Sequence, residues 1–141
     1  MSSYSDWNAG IIAEFHKNHG KVGGQFEGAP ILLINHTGAR TGKSRTNPVM
    51  YLKDGRRYLV FASKGGAPAN PDWYHNLKKH PDVKIEVGDD TIEVHAEELK
   101  GAERDRLYAK QASLYPRFAE YQQKTKRIIP VIAFTPKTRR S

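Results

Sequence analysis

The sequence predicts an α+β fold, an antiparallel β-barrel with peripheral helices, and three observations lead there. Two stretches of alternating apolar residues are each folded back by a tight-turn signal, Asp54-Gly55 in one and Gly88-Asp89-Asp90 in the other. Strand-like segments dominate the middle of the chain with few of the helical crossovers that a doubly wound sheet requires. The other periodic segments, at the start and across 101–126, have helical spacing. At 141 residues the chain suits one domain that buries its own core. We divide it into an N-terminal amphipathic helix and loop (1–29), a barrel (30–136) and a short basic tail (137–141).

The elements follow in order. Trp7, Ile11, Ile12 and Phe15 share a helical face between an N-cap at Ser5 and a stop at Gly20, so a helix is expected over 6–19. Residues 21–30 carry glycine and proline without periodicity and read as a loop. Ile31–Ile34 and Pro48–Lys53 read as strands, and Arg57–Ala62 completes a hairpin with the second. Pro71–Lys79 has proline at its start, an acid in its first turn and cations at its end, the signature of a short helix. Val83, Ile85 and Val87, then Ile92, Val94 and Ala96, alternate as the second hairpin. Helices are expected over 101–114 and 117–126, separated at Pro116, and a last strand over Val131–Phe134, before a frayed end from Pro136.

Composition excludes several chemistries. The chain has no cysteine, so disulfides, thiolate metal sites and a cysteine nucleophile are absent. Its six histidines lack metal-site spacing and read as surface or helix-end residues, and no metal is expected. Ser63 lies outside any G-x-S-x-G elbow, which argues against a hydrolase. Asp89-Asp90 and Glu97-Glu98 read as solvent-facing pairs rather than acid–base machinery. No signal-peptide pattern or membrane-spanning run is evident, which points to the cytoplasm. Peripheral membrane contact through the first helix stays open as an alternative to docking on the core. The net charge of +8 favours an anionic ligand. Its cations are not interleaved with aromatics, so nucleic acid is not the expected partner.

Two loops carry the chemistry. Asn35 to Pro48 places Gly38 and Gly42 among Arg40, Lys43 and Arg45, giving tight turns, backbone N–H groups and charge-assisted donors suited to an anion such as phosphate. It is not a Walker A loop, because the spacing differs and a strand follows rather than a helix. The alternative is a solvated basic hairpin tip. Ala62 to Leu77 sets Ser63 and Lys64 beside Gly65-Gly66 and runs into the start of a helix at Asp72–Tyr74, a second corner that can receive an anion.

The ordered pattern Thr37-Gly38, Thr41-Gly42, Arg45, Asn47-Pro48, then Ala62-Ser63-Lys64-Gly65-Gly66 and Asn70 to Leu77, resembles the deazaflavin-dependent nitroreductase family of actinobacteria. The similarity continues through Pro81, Val83, Leu114-Tyr115-Pro116 and Tyr121 to Ile129-Pro130-Val131. The resemblance implies a split β-barrel of FMN-binding type that uses coenzyme F420, a deazaflavin with a phosphodiester and an oligoglutamate tail, as hydride carrier. It assigns Ala39, Arg40, Thr41 and Arg45 to the anionic part of the cofactor, with Lys43 nearby. Thr46, Asn47, Pro48, Val49 and Met50, with Phe61, Ala62, Ser63 and Lys64, are assigned to the ring, and Asp72, Trp73, Tyr74, His75 and Asn76 close the site.

The same resemblance places Tyr115, Phe118 and Tyr121 on the substrate side, with Ser63, Tyr115 and Tyr121 as the catalytic candidates. The implied reaction is reduction of a quinone-like, nitroaromatic or other electron-poor small molecule by F420H2. FMN in place of F420, and a non-catalytic F420 carrier, are the alternatives. The chain departs from the family pattern at Met50 and Phe118, where members often carry tyrosine, and at Ala39, where they often carry a cation. The oligomeric state is left open.

Overall fold

The computed structural model describes residues 4–23 and 28–137. Helix α1 (Tyr4–Lys17) precedes strands β1 (Ile31–Thr37), β2 (Ser44–Asp54) and β3 (Arg57–Phe61). A 3-10 turn at Lys64–Gly66 leads into α2 (Asp72–Lys79), followed by the β4 (Asp82–Val87) and β5 (Asp90–Leu99) hairpin. Helices α3 (Gly101–Leu114) and α4 (Arg117–Lys124) then return the chain to β6 (Val131–Pro136). All six strands pair antiparallel in the order β1-β2-β3-β6-β5-β4, and β4 returns to β1 to close the barrel.

Period-two alternation sorts the strand residues into two cores. Leu32, Ile34, Val60, Val83, Ile85, Val94, Ala96, Ile132 and Phe134 fill the barrel interior, which α2 plugs with Trp73 and Leu77. The neighbouring positions Ile31, Leu33, Met50, Leu52, Leu59, Phe61, Val131 and Ala133 face outward under Ile11 and Phe15 of α1, Leu107 and Tyr108 of α3 and Phe118 of α4. A barrel covered by helices on one side needs apolar residues on both faces of those strands, which explains the continuous apolar runs at Ile31–Ile34 and Leu59–Phe61. Ile11 and Phe15 are therefore occupied in packing, while the side chain of Trp7 lies outside the described residues.

The structure corrects the expected elements at several ends. β1 runs on through Asn35–Thr37 and β2 begins at Ser44, because Asn35, His36 and Thr37 pair with Thr46, Arg45 and Ser44. Polar residues on both strands concealed this extension from a hydrophobic pattern. The β2–β3 turn lies one residue later than expected, since Asp54 pairs with Arg57 and the turn residues are Gly55-Arg56, with Gly55 at φ +59°. Pro136 belongs to β6, and the Lys137 N–H donates to the Glu93 carbonyl at 2.9 Å, so these two residues of the expected frayed end are held by the barrel; residues 138–141 lie outside the described residues.

One side chain in the helical layer is poorly matched to its place. Gln111 of α3 is fully buried, and neither its Nε2 nor its Oε1 has a hydrogen-bond partner among the described residues. Desolvation of an unpaired amide is unfavourable. Gln111→Met, of similar volume, is expected to raise stability by about 1 kcal/mol in urea unfolding. A destabilised variant would show that the amide has a partner and refute the reading.

Candidate active site

The site begins where a strand loses its neighbour. β2 pairs with β1 from Ser44 to Met50, but with β3 only from Tyr51 to Asp54. The stretch Ser44–Met50 thus has one edge with no strand beside it. Pro48 is tolerated there because a residue without an N–H suits an edge. Two clefts lie along this edge and share Lys64 and Trp73. One, of about 420 Å3, is walled by His36, Arg45, Thr46, Asn47, Lys64, Pro71, Asp72 and Trp73 together with Asn8, Ala9 and Ile12 of α1. The other, of about 150 Å3, is walled by Val49, Met50, Phe61, Ser63, Lys64, Trp73, Arg117, Phe118 and Tyr121.

The first loop is the tip of the β1–β2 hairpin. The Gly38 N–H donates to the Lys43 carbonyl at 2.8 Å, the Gly42 N–H donates to the Gly38 carbonyl at 2.9 Å, and Gly42 sits at φ +72°. The Ala39 N–H donates to Asn76 Oδ1 at 2.8 Å. The N–H groups of Gly38 and Gly42 are thus used within the loop and that of Ala39 is held by α2, so an anion at the tip would meet the remaining N–H groups and the side-chain cations. Arg40, Thr41 and Lys43 lie exposed at the tip and line neither cleft, whereas Arg45 and Lys64 do. None of these four cations forms an ion pair among the described residues.

His36 anchors the tip, a role the sequence reading missed by counting it among surface or helix-end histidines. It is buried at 3% exposure. Its Nε2–H donates to Asn47 Oδ1 at 2.8 Å, and its Nδ1 accepts from the Asn76 amide at 3.0 Å. With Asn76 Oδ1 holding the Ala39 N–H, one network joins β1, β2, the tip and α2. It requires neutral imidazole. Burial pushes the His36 pKa below its ordinary 6.5; the charge of Arg45 adds to this, while the Asn47 hydrogen bond and Asp72 oppose it.

Arg127, also absent from the predicted set, anchors the second loop. Its guanidinium donates to the carbonyls of Ala62 at 3.1 Å, Ser63 at 2.9 Å and Ala67 at 2.9 Å, and to Asn70 Oδ1 at 2.6 Å. This clamp holds a turn in which Lys64, not a glycine, adopts φ +46°. Gly66 is required, since a Cβ there would lie 2.9 Å from Cβ of Lys124. Ser63 is bound to the turn through its backbone, leaving its hydroxyl available to the cleft.

The other predicted residues separate by location. Val49, Met50, Phe61, Phe118 and Tyr121 meet at the smaller cleft, where Phe118 packs edge-on against Phe61 at 5.7 Å and Tyr121 at 5.3 Å between ring centroids. Asp72 and Trp73 present the N-terminus of α2 to the larger one. Ala62 is buried in the barrel. Tyr115 packs against the helical core, and it lines neither cleft. His75 is exposed on α2. Tyr74 faces β5, where its hydroxyl donates to Glu98 at 2.8 Å beside Lys78 at 2.9 Å. Glu98 is consequently not the solvent-facing acid expected. Burial raises its pKa, but the hydrogen bonds from Lys78 and Tyr74 outweigh that and leave it below the ordinary range.

A closed antiparallel barrel, opened along one half-paired strand and flanked there by cations, defines the class as a split-barrel oxidoreductase. The sequence model of the F420H2-dependent quinone reductases matches residues 10–136. An F420H2-dependent quinone reductase of Mycobacterium tuberculosis strain H37Rv is 40% identical over 129 residues, covering 87% of this chain and 85% of the relative. The solved structure of an F420-H2 dependent reductase, FDR-A, is 42% identical with a TM-score of 0.68, over 74% of this chain and 93% of that one. Another solved chain, described as a domain-swapped dimer, is 36% identical with a TM-score of 0.70, over 94% and 99%. The chain belongs to the F420H2-dependent quinone reductase family, whose members are oxidoreductases that use coenzyme F420. The donor set fits such a group: Arg45 and Lys64, without acid partners among the described residues, stand beside an unpaired strand edge, and a cleft of mixed aromatic, apolar and polar lining adjoins them. Among the described residues no helix is long and apolar enough to cross a membrane.

Two outcomes test the anchors. The folded chain keeps His36 neutral where the unfolded chain takes up a proton, so this contribution is fully present above pH 6.5 and is lost as pH falls from there toward the folded value. Thermal unfolding between pH 7.5 and 5.5 should therefore show a steeper loss for the native chain than for His36→Gln; parallel curves would refute it. Arg127→Ala should cost about 2 kcal/mol and weaken F420 binding, and Arg127→Lys should recover little, because an ammonium cannot span four acceptors. Full recovery by lysine would show that charge alone matters.

Proposed function

We propose that this chain reduces a quinone-like small molecule with F420H2, holding the anionic part of the cofactor at Arg45 and Lys64 and the reacting groups at the smaller cleft. The observation that supports this division is that Arg45 lines the larger cleft, Lys64 stands where the two clefts meet, and Met50, Ser63, Phe118 and Tyr121 line the smaller one beside Arg117. Bound F420H2 would supply the hydride. Arg40 and Lys43, exposed at the hairpin tip, suit the outer part of a polyanionic tail.

Ser63, which lines the smaller cleft, would donate a hydrogen bond to an oxygen that gains negative charge as the acceptor is reduced. Tyr121 adds a second hydroxyl, and Phe118 and Met50 supply apolar surface for a flat ring. The packing of Tyr115 against the core gives it a positioning role for α4 rather than contact with substrate. A peripheral membrane contact through α1 would have to use residues other than Ile11 and Phe15.

Fluorescence titration with F420 tests the reading. The native chain should bind saturably and more weakly as salt rises. Arg45→Ala should raise the Kd about tenfold and leave kcat little changed, whereas Ser63→Ala should lower kcat about tenfold at nearly native affinity. Equal small effects on both parameters would sink the division of roles.

A further inference from the structure

Helix α4 forms one wall of the smaller cleft, and contacts at both its ends fix its place. The Tyr108 hydroxyl donates to the Phe118 carbonyl at 2.7 Å, and the Tyr108 ring packs edge-on against Phe61 at 5.8 Å and Phe118 at 6.4 Å between centroids. Further along, α4 lies so close to the second loop that a Cβ on Gly66 would stand 3.0 Å from the Tyr121 carbonyl oxygen and 2.9 Å from Cβ of Lys124. On this fixed helix Arg117 and Tyr121 are four residues apart and so share a side. Both line the cleft.

Other arginines of the chain join elements: Arg57 pairs with Asp54 and Glu103, Arg104 donates to the Ile129 carbonyl and to Gln122, and Arg127 clamps the 62–70 loop. Arg117 is exposed, and its guanidinium makes no hydrogen bond or ion pair among the described residues. Glu120, the acid of the same helix, stands three residues on and leaves it unpaired, although Asp54 and Arg57 pair at that spacing. The cleft offers its charge no counterpart either. The lining holds Arg117 and Lys64 but no aspartate, glutamate or histidine, whereas the larger cleft sets Asp72 and His36 beside its cations. Phe61, Phe118 and Trp73 suffice to receive a flat neutral ring, and Ser63 and Tyr121 to meet its oxygens. Neither task requires a guanidinium. Fixed cations on the wall of an acid-free cleft favour a negatively charged occupant.

We infer that the acceptor received by this cleft carries a negative charge of its own, as in a quinone-like ring bearing a carboxylate, and that Arg117 is the substrate-binding residue that pairs with it. The inference rests on the function proposed above and names the substrate class of that site. Arg117 does not line the larger cleft, so the two anions are received apart, the cofactor's at Arg45 and Lys64 and the acceptor's at Arg117. A planar guanidinium offers a carboxylate two parallel donors.

The test uses the full chain, F420H2 and two acceptors of the same ring and length: a naphthoquinone with a carboxylate at the end of a short alkyl chain, and the corresponding carboxamide. The alkyl chain insulates the ring from the charge, so the two are equally reducible. For the native chain kcat/KM should be about fivefold higher with the carboxylate at low salt, and the difference should narrow as salt rises. Arg117→Gln should bring the ratio to about one by raising KM for the carboxylate, Arg117→Lys should keep part of the preference, and the F420 Kd from fluorescence titration should stay within about twofold of native in both. A native ratio of about one overturns the inference, as does a preference that survives Arg117→Gln. A loss of F420 affinity of about tenfold in Arg117→Gln also overturns it, by assigning Arg117 to the cofactor. Native protein that reduces neither acceptor overturns the function proposed above and this inference with it, whereas equal reduction of both leaves that function standing and overturns this inference alone.

Discussion

Strand β2 is eleven residues long, but β3 accompanies it for only four pairs. The site follows from this mismatch. β3 ends at Phe61, the chain turns away through Ser63–Gly66, and the first half of β2 is left with a bare edge. An unpaired edge in a folded protein ordinarily invites another strand. Here Pro48, the flanking turn, α2 and α1 prevent that and leave a space suited to a flat ligand. Closure elsewhere around the barrel supplies the rigidity that lets one seam stay open.

Two polar anchors keep that seam from collapsing. Arg127 spreads four hydrogen bonds over the 62–70 loop and so stabilises a left-handed lysine that would otherwise relax. His36, between Asn47 and Asn76, fixes the hairpin tip relative to α2. Both are directional, so they set positions that apolar packing alone would leave variable. Arg127 is in turn supported from the helical layer, since its carbonyl accepts from Gln122 Nε2 at 2.7 Å and Gln122 Oε1 accepts from Arg104 at 2.6 Å.

The positive charge of the chain divides by function. Arg57 is neutralised by Asp54 and Glu103, Lys78 by Glu98, and Lys137 by Asp82. Those pairs join elements at the surface. Arg45 and Lys64 have no such partners among the described residues and, though exposed, line a cleft, where their charge is not already spent on an acid. The exposed cations at the hairpin tip extend the same positive field outward.

Much of this was legible in the sequence because its cause is local. Period-two alternation identified both hairpins, capping and helix formers identified α2, α3 and α4, and spaced Gly, Ser, Lys and Arg motifs marked both loops. What escaped depended on partners distant in the chain. Asn35–Thr37 is polar and reads as loop, yet becomes strand because Ser44–Thr46 lies beside it. His36 and Asn76 are 40 residues apart, and Arg127 meets Ala62 across 65. No local pattern reports whether a histidine is buried or which carbonyls an arginine will find. The sequence determined the element types, the positions of the two glycine-rich loops and the family pattern. Only the tertiary structure decided which N–H groups were already taken, which cations lined the clefts, and that α1 completes a wall of the larger one, because each depends on contacts that form when the barrel closes.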